Sequence, residues 1–146
     1  YPEFGVDLGG ARIITIIRVD HQPIYDKSRI YTPDHVVVVD PTLVEAIDIT
    51  EGLKDSGCII INSPKKPEEF KFPDKFKVFT IDATDIAIRH QLGTLAAPIV
   101  NTAIVGAVVK ILKLTKLESL VAAIREGVPL KQEENVRAAI EAYEKA

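Results

Sequence analysis

Three polar residues, each able to bind a ligand, follow apolar segments of the chain. They are Asp40, Asn62 and Asp82, and the segments before them are 36–39, 58–61 and 77–81. In an open parallel sheet, the carboxyl ends of the strands line the crevice where ligands sit. The pattern is therefore compatible with a small-molecule site built from these three side chains. The alternative is that Asp40 and Asp82 only cap the helix or turn that follows each of them.

The pair Asn101-Thr102 is a second candidate for a functional loop. It follows Pro98 and opens an apolar helix that the sequence predicts over 103–112. The free N–H groups at the start of a helix point toward an incoming oxygen or anion. The alternative is that Asn101 only caps this helix, since asparagine is a preferred N-cap residue.

Other chemistry-bearing patterns are missing. The sequence contains no GxGxxG, no GxxxxGK[ST], no GxSxG and no suggestive pair of carboxylates. Cys58 is the only cysteine and opens an apolar strand, which is typical of an inert core thiol. A single cysteine cannot hold an iron–sulfur cluster or close a disulfide within the chain. The three histidines lie far apart in the sequence, so we expect no metal site from them.

The composition limits the class of protein. The 146 residues fit one domain, 1–146, and 47% of them are hydrophobic, which is enough for a core. A net charge of −3 gives no bulk attraction to nucleic acid. The uncharged stretch 95–109 is too short to span a bilayer, and the cysteine content favours a cytoplasmic protein. The chain contains no methionine, so we expect it to be a fragment or a processed chain.

Non-alternating apolar runs predict a parallel sheet with helices on both faces. We expect an α/β fold, a three-layer αβα sandwich with a mostly parallel (mixed) sheet. Val36–Val39 is its predicted central strand, and a helix over 41–49 follows with Asp40 as cap. A strand over 11–19 is expected to return through Ile24-Tyr25 as a short antiparallel partner.

The second half of the chain has helical patterns. Helices are predicted from Asp82 to about residue 91, over 103–112, from a capping box at 115–118 to Gly127, and over 132–145. Gly106 lies inside an apolar helix, where a close backbone approach is expected. The charged stretch 65–77 is predicted to be a surface connection with one short helical turn.

Six segments in order resemble the gamma subunit of 2-oxoacid:ferredoxin oxidoreductases, the pyruvate synthase family. They are PEFG at 2–5, IYTPDHVVVVDP at 30–41, EGLKDSG at 51–57, IINSP at 60–64, IDATDIA at 81–87 and PIVNTAIVGA at 98–107. Together they extend over nearly the whole chain.

The resemblance implies one subunit of an enzyme that oxidatively decarboxylates a 2-oxoacid, attaches the acyl group to coenzyme A and reduces ferredoxin. It implies thiamine diphosphate, Mg, [4Fe–4S] clusters and coenzyme A on partner subunits of alpha, beta and delta type. It also implies a cytoplasmic hetero-oligomer of anaerobic metabolism, with no catalytic residue, cofactor or metal in this chain. Pyruvate is the expected substrate, and 2-oxoglutarate, branched-chain 2-oxoacids and oxalate are the alternatives.

The start of the chain departs from the family pattern. The family's first strand, Gly-rich turn and helix are absent, so we expect the first strand of the sheet to be missing or supplied elsewhere. The loop 6–12 reads VDLGGAR where the family has a basic stretch and Gly-Ala-Pro. Gly9, Gly10 and Arg12 are candidates for a loop facing the active site or an interface, although a turn is the simpler account of the glycines. Arg12 can hold a carboxylate or phosphate bidentately, whereas Asp7 would repel both.

The sequence therefore favours a subunit without catalytic residues, which helps to enclose a site on another chain. We expect the helix 103–112 and the strand-end loops to bury against partners and so to account for the apolar surplus. Two alternatives are a self-standing binding domain that uses the crevice at Asp40, Asn62 and Asp82, and a pure assembly module.

Overall fold

The computed structural model describes residues 13–146 and, for the backbone alone, residues 2–4. Its strands are β1 (Pro2–Phe4), β2 (Ile13–Thr15), β3 (His35–Val38), β4 (Cys58–Asn62) and β5 (Lys77–Ile81). Its α-helices are α1 (Leu43–Ala46), α2 (Ala83–Arg89), α3 (Asn101–Leu112), α4 (Leu117–Gly127) and α5 (Gln132–Lys145). A 3-10 turn at Pro67–Glu69 lies in the connection from β4 to β5, where the sequence predicts one short helical turn.

The main sheet is parallel and has the order β3-β4-β5 among the described residues. Val37 pairs with Ile60, and Ile60 pairs with Phe79 on the other side. All five residues of β4 are buried, because this strand has a neighbour at both edges and cover on both faces. β1 and β2 form a separate antiparallel pair. The predicted α/β class with a parallel sheet is confirmed.

The two faces of the sheet belong to different cores. One face packs against α1 and the connection from β4 to β5, in a cluster that contains Val38, Ile59, Ile61, Phe70 and Phe72. On the other face, Ile81 joins a cluster formed with α2, α3 and α5. α4 lies farther out and packs on α3 and α5 through Leu120 and Ile124. These layers agree with the predicted sandwich.

Gly106 allows α3 and α5 to cross closely, as the sequence predicts. A Cβ atom at this position would lie 2.1 Å from the carbonyl oxygen of Ala139. The apolar residues of α3 are mostly buried within the chain, among them Ala103, Ile104 and Val109. The expectation that this helix needs a partner to cover it is therefore wrong for most of its surface, because α5 and α4 already cover it.

The position predicted for the valine strand is also wrong. β3 lies at the edge of the described sheet, and Val37 and Val39 are 39% and 46% exposed. A run of apolar residues shows that a strand can be buried on both faces, but its position in the sheet depends on which other strands pair with it. β4 occupies the predicted central place.

The helix predicted over 41–49 is only one turn long. Asp40 does not cap it; its carboxylate accepts hydrogen bonds from the N–H and hydroxyl of Thr42, at 3.0 and 2.7 Å. Asp48 makes the same local contacts with Thr50, which lower the pKa of its carboxyl group. These side-chain bonds favour turns over helix, since they offer the backbone alternative partners.

Two further local predictions are wrong. β2 covers only 13–15 of the strand predicted over 11–19, and it pairs with β1 rather than with Ile24-Tyr25. Residues 11 and 12 lie outside the described part. At the start of α4 the N-cap residue is Lys116, and no side chain caps the helix, so the predicted capping box is not formed. The predictions of α2, α3 and α5 agree with the structure to within about two residues.

In the part of the chain that the structure describes, no helix is both long enough and apolar enough to cross a membrane.

Candidate functional site

Asn62 joins three elements at the carboxyl edge of the sheet. Its side chain is buried, and its Nδ2 donates to the carbonyl of Val39 at 3.0 Å and to the hydroxyl of Thr84 at 2.9 Å. Its Oδ1 accepts from the backbone N–H groups of Ala83 and Thr84, at 3.0 and 3.3 Å. Every polar atom of the side chain therefore has a partner, and Asn62 links β3, β4 and the start of α2.

Asp82 and Asp40 also bind their own backbone neighbours. Asp82 caps α2, since its carboxylate accepts the N–H of Asp85 at 3.0 Å. Asp40 holds the turn at Thr42. The three strand-end residues thus have structural roles, which is the alternative that the sequence left open for the two aspartates. This arrangement does not favour a ligand site at the crevice.

Asn101 lies in the first turn of α3 and is exposed, while Thr102 is half-buried. Val100, not Asn101, occupies the N-cap position, and no side chain makes the usual capping bond. The Oδ1 of Asn101 instead accepts the N–H of Thr102 at 2.9 Å. Asn101 therefore satisfies one N–H of the first turn from inside the helix, which is a weaker structural role than that of a true cap.

A groove of about 240 Å³ opens beside these two residues, between the start of α3 and the end of α4. It is lined by Asn101, Thr102, Val105, Ala123, Ile124, Gly127 and Val128. None of the lining residues is charged. Gly127 leaves its side of the groove open, because a Cβ atom there would meet nothing within 4 Å.

Exposed apolar side chains occur in this groove and in the loops that precede α3 and follow α4. Val105 in the groove is 41% exposed, and Leu95, Ile99 and Leu130 in the loops are 81%, 54% and 76% exposed. Lys131 joins the two loops, since its Nζ donates to the carbonyl of Gln91 at 2.6 Å.

The sequence points to two of the seven residues that line this groove, Asn101 and Thr102. It indicates Gly127 only as a helix stop and gives no role to Ala123 or Val128. The signal that was available is the pair of small residues four apart on α4, which removes side-chain bulk from one helix face. Nothing in the sequence indicates that this face lies beside the start of α3.

The charged cluster around Glu141 is structural. Its carboxylate accepts from the guanidinium of Arg89, from His90 at 2.9 Å and from Lys145 at 2.8 Å. The hydrogen bonds from Arg89 are the main cause that holds the pKa of Glu141 well below its usual range, and they raise the pKa of Arg89. Because all these groups pair with one another, the cluster fixes α2 against α5 and offers no free ligand.

Cys58 is buried, and its burial raises the pKa of its thiol. Its backbone N–H donates to Nδ1 of His35 at 3.1 Å, across the register pair of β3 and β4. Within residues 13–146, no three His, Cys, Asp or Glu side chains come together as a metal site would need. The candidate residues Gly9, Gly10 and Arg12 lie outside the described residues.

Known proteins resemble this chain over nearly its whole length. The gamma subunit common to the pyruvate/ketoisovalerate oxidoreductases of Pyrococcus furiosus is 46% identical over 151 residues, which cover 99% of this chain and 78% of that protein. Pyruvate synthase subunit PorC of Methanothermobacter thermautotrophicus is 41% identical and is matched over 99% of this chain and 76% of its own length.

A solved structure supports the same relationship. The crystal structure of pyruvate oxidoreductase subunit PORC from Thermotoga maritima superposes with a TM-score of 0.69 at 29% identity. The superposition covers 99% of this chain and 76% of that one. The sequence profile described as "Pyruvate ferredoxin/flavodoxin oxidoreductase" matches residues 1–145. The chain therefore belongs to the pyruvate ferredoxin/flavodoxin oxidoreductase family.

Proposed function

We propose that this chain is the gamma-type subunit of an enzyme that oxidatively decarboxylates a 2-oxoacid to acyl-CoA and CO2 and reduces ferredoxin. The observation that supports the proposal most is the match to named gamma and PorC subunits over 99% of the chain, at 46% and 41% identity. In this proposal residues 1–146 form one gamma-type domain. The alpha, beta and delta-type partners carry thiamine diphosphate, Mg, the [4Fe–4S] clusters and the coenzyme A site, in the cytoplasm.

The chemistry of the chain's own residues is consistent with an auxiliary role. The whole sequence has one cysteine, whereas a [4Fe–4S] cluster needs four cysteine ligands. The polar side chains at the sheet edge are engaged with the backbone, as described for Asn62 and Asp82. The proposed contribution of this chain is therefore to shape and enclose a reaction site that other subunits supply.

Pyruvate is the proposed substrate, since both kinds of relative include it in their names. The relatives with 42–46% identity are subunits shared between pyruvate and ketoisovalerate enzymes, while the PorC subunits reach 37–41%. This order favours a second candidate in which the chain also serves a branched-chain 2-oxoacid enzyme.

The deciding experiment is to purify the complex through a tag on this chain and to identify the subunits that co-purify. The preparation is then assayed for CoA-dependent reduction of ferredoxin with pyruvate and with 3-methyl-2-oxobutanoate. We expect alpha, beta and delta-type subunits in stoichiometric amounts and turnover with pyruvate. A monomeric chain without these subunits, stabilised by a metabolite, would instead support a self-standing binding domain.

Substitution of Asn101 by Ala tests whether the loop faces the active site. We propose that turnover falls, because the substitution removes a side chain that faces the active site. The complex should stay assembled, because this side chain makes only one local hydrogen bond. Normal turnover in an intact complex would favour a pure assembly module at this position. Ala122→Leu, an exposed change on α4 away from the groove lining, is the control for general disturbance.

A further inference from the structure

The first turn of α3 contains a buried N–H group that the helix does not satisfy. A helix leaves its first N–H groups without partners of its own, and a polar N-cap side chain usually accepts the one at the third helical position. Here the N-cap residue is Val100, which has no side-chain acceptor, and the third position is Ala103. Ala103 is fully buried, and among residues 13–146 no atom accepts its N–H. Buried N–H groups without a partner are rare in folded proteins.

Asn135 on α5 has a buried acceptor atom without a partner. The residue is 6% exposed, and its Nδ2 donates to the carbonyl oxygens of Lys131 at 2.9 Å and Leu130 at 3.4 Å. Because a carbonyl oxygen needs a donor, these two contacts fix which end of the amide is the nitrogen. Oδ1 therefore lies on the side of the amide away from both carbonyls. No donor in the part of the chain that the structure describes bonds to it.

The packing register of α3 and α5 sets these two groups at the same level. The backbone of Gly106 lies against that of Ala139. Four residues farther along each helix, the Nζ of Lys110 lies 4.9 Å from the centre of the Tyr143 ring. The two helices therefore run parallel in this register. Four residues earlier, the same register sets Asn135 opposite the first turn of α3, which contains the unpaired N–H.

The two groups suit a small neutral molecule that accepts a hydrogen bond from one and donates to the other. No direct hydrogen bond joins the N–H of Ala103 to Oδ1 of Asn135. A cation would meet the positive end of the N–H dipole, and an anion would meet the negative Oδ1, so the site disfavours both kinds of ion. Water is the neutral donor and acceptor that commonly satisfies such groups inside proteins, and about two polar partners are enough to order it.

We propose that a buried water molecule bridges the N–H of Ala103 to Oδ1 of Asn135, and that this bridge replaces the missing N-cap of α3. In this arrangement a neighbouring helix supplies the cap through water, whereas the residue before the helix supplies it in most proteins. The bridge also ties the first turn of α3, and with it Asn101, to α5. The inference concerns this chain alone and does not depend on the proposed function.

Water-selective NMR on the isotope-labelled full chain tests the proposal. A long-lived bound water gives a cross-peak between the water signal and an amide proton that it contacts. We expect this cross-peak at the amide of Ala103 and none at the amide of Ala107, whose N–H is bonded within the helix. It should persist in Thr102→Val, which removes the neighbouring hydroxyl. Absence at Ala103 in the unsubstituted chain, or loss in Thr102→Val, would overturn the proposal.

Two substitutions at position 135 test the role of the acceptor. Asn135→Leu is close in size but has no oxygen, so the cross-peak at Ala103 should disappear. Asn135→Asp keeps an acceptor oxygen and should keep the cross-peak. A cross-peak that persists in Asn135→Leu would mean that Asn135 does not hold the water. Loss in both variants would mean that the Nδ2 contacts, not the acceptor, maintain the site. Either result contradicts the proposal.

Thermal melts of Asn135→Leu distinguish the bridge from two unpaired atoms. If Oδ1 faced only apolar groups, the substitution would remove an unpaired buried acceptor and raise the melting temperature. With the bridge in place, the same change leaves the N–H of Ala103 buried without a partner, so we expect a fall of about 4 °C or more. A rise would contradict the bridge. The NMR measurement on the unsubstituted chain decides the question even if this variant does not fold.

Discussion

The strongest prediction for stability concerns Asn62→Ala. This substitution removes the side chain that links β3, β4 and α2 through four hydrogen bonds. The position is 4% exposed, so water has little access to the groups that lose their partner. The carbonyl of Val39 and the N–H groups of Ala83 and Thr84 are left without their side-chain partner.

The magnitude follows from these orphaned groups. Leaving a buried donor or acceptor unsatisfied costs about 1–3 kcal/mol. Ala83 is fully buried and Thr84 is half-buried, so we take the upper part of this range for the first and the lower part for the second. The expected loss is about 3–4 kcal/mol in the free energy of unfolding, at 1–3 kcal/mol for each of the two N–H groups. The carbonyl of Val39 is not counted, because that residue is 46% exposed and water can replace the lost bond. For a chain of this length the loss corresponds to a fall in melting temperature of about 10 °C.

The assay is urea unfolding followed by circular dichroism, together with a thermal melt. Asn62→Asp is the informative second variant, since it keeps the acceptor oxygen for Ala83 and Thr84 but loses both donations. Asn101→Ala is the control, because Asn101 is exposed and makes only one local hydrogen bond, so its loss should stay within about 1 kcal/mol. A loss below about 1 kcal/mol for Asn62→Ala would refute the reasoning, because it would mean that water replaces these bonds freely.

Three further predictions concern stability and reactivity. Since Arg89 holds the pKa of Glu141 below its unfolded value, the carboxylate stabilises the fold above about pH 4.5 and loses this effect as the pH falls through the folded pKa. Glu141→Gln should therefore lower the melting temperature at pH 7 and by less near pH 2, and an equal deficit at both pH values would contradict this. Gly106→Ala should destabilise the chain by about 3 kcal/mol or prevent folding, because its Cβ would meet Ala139; a normal urea midpoint would show that α3 and α5 are less tightly packed. Cys58 should react with a thiol reagent only on unfolding, since burial raises its pKa, and rapid labelling of the native chain would argue against a buried β4.

Predictions based on local spacing mostly agree with the structure. The helix over 132–145 has apolar residues at helical spacing, and its bounds were predicted almost to the residue. Capping of α2 by Asp82 is one of the two roles that the sequence left open for this residue, and Asp82 does cap the helix through the N–H of Asp85. In both cases the interaction that decides the structure joins residues only a few positions apart.

Predictions that depended on distant neighbours were less accurate. Val36–Val39 has the composition of a central strand but lies at the edge of the described sheet, because a strand's burial depends on which strands pair with it. Asn62 was recognised as a strand-end polar residue, yet its role depends on Val39 and Thr84, each 22 or 23 residues away. The spacing of residue types along a short segment does not indicate which distant residues will form hydrogen bonds with it.

The sequence by itself determined the α/β class, the buried strand β4, the close helix crossing at Gly106, and the family. Each of these depends on residue types at short spacing or on motifs in a recurrent order, which can be recognised along the chain. Only the tertiary structure decided that the strand-end side chains bind the backbone, and that Gly127 lies across a groove from Asn101. Such juxtapositions arise when helices and strands pack, because packing brings together side chains that the chain itself keeps far apart.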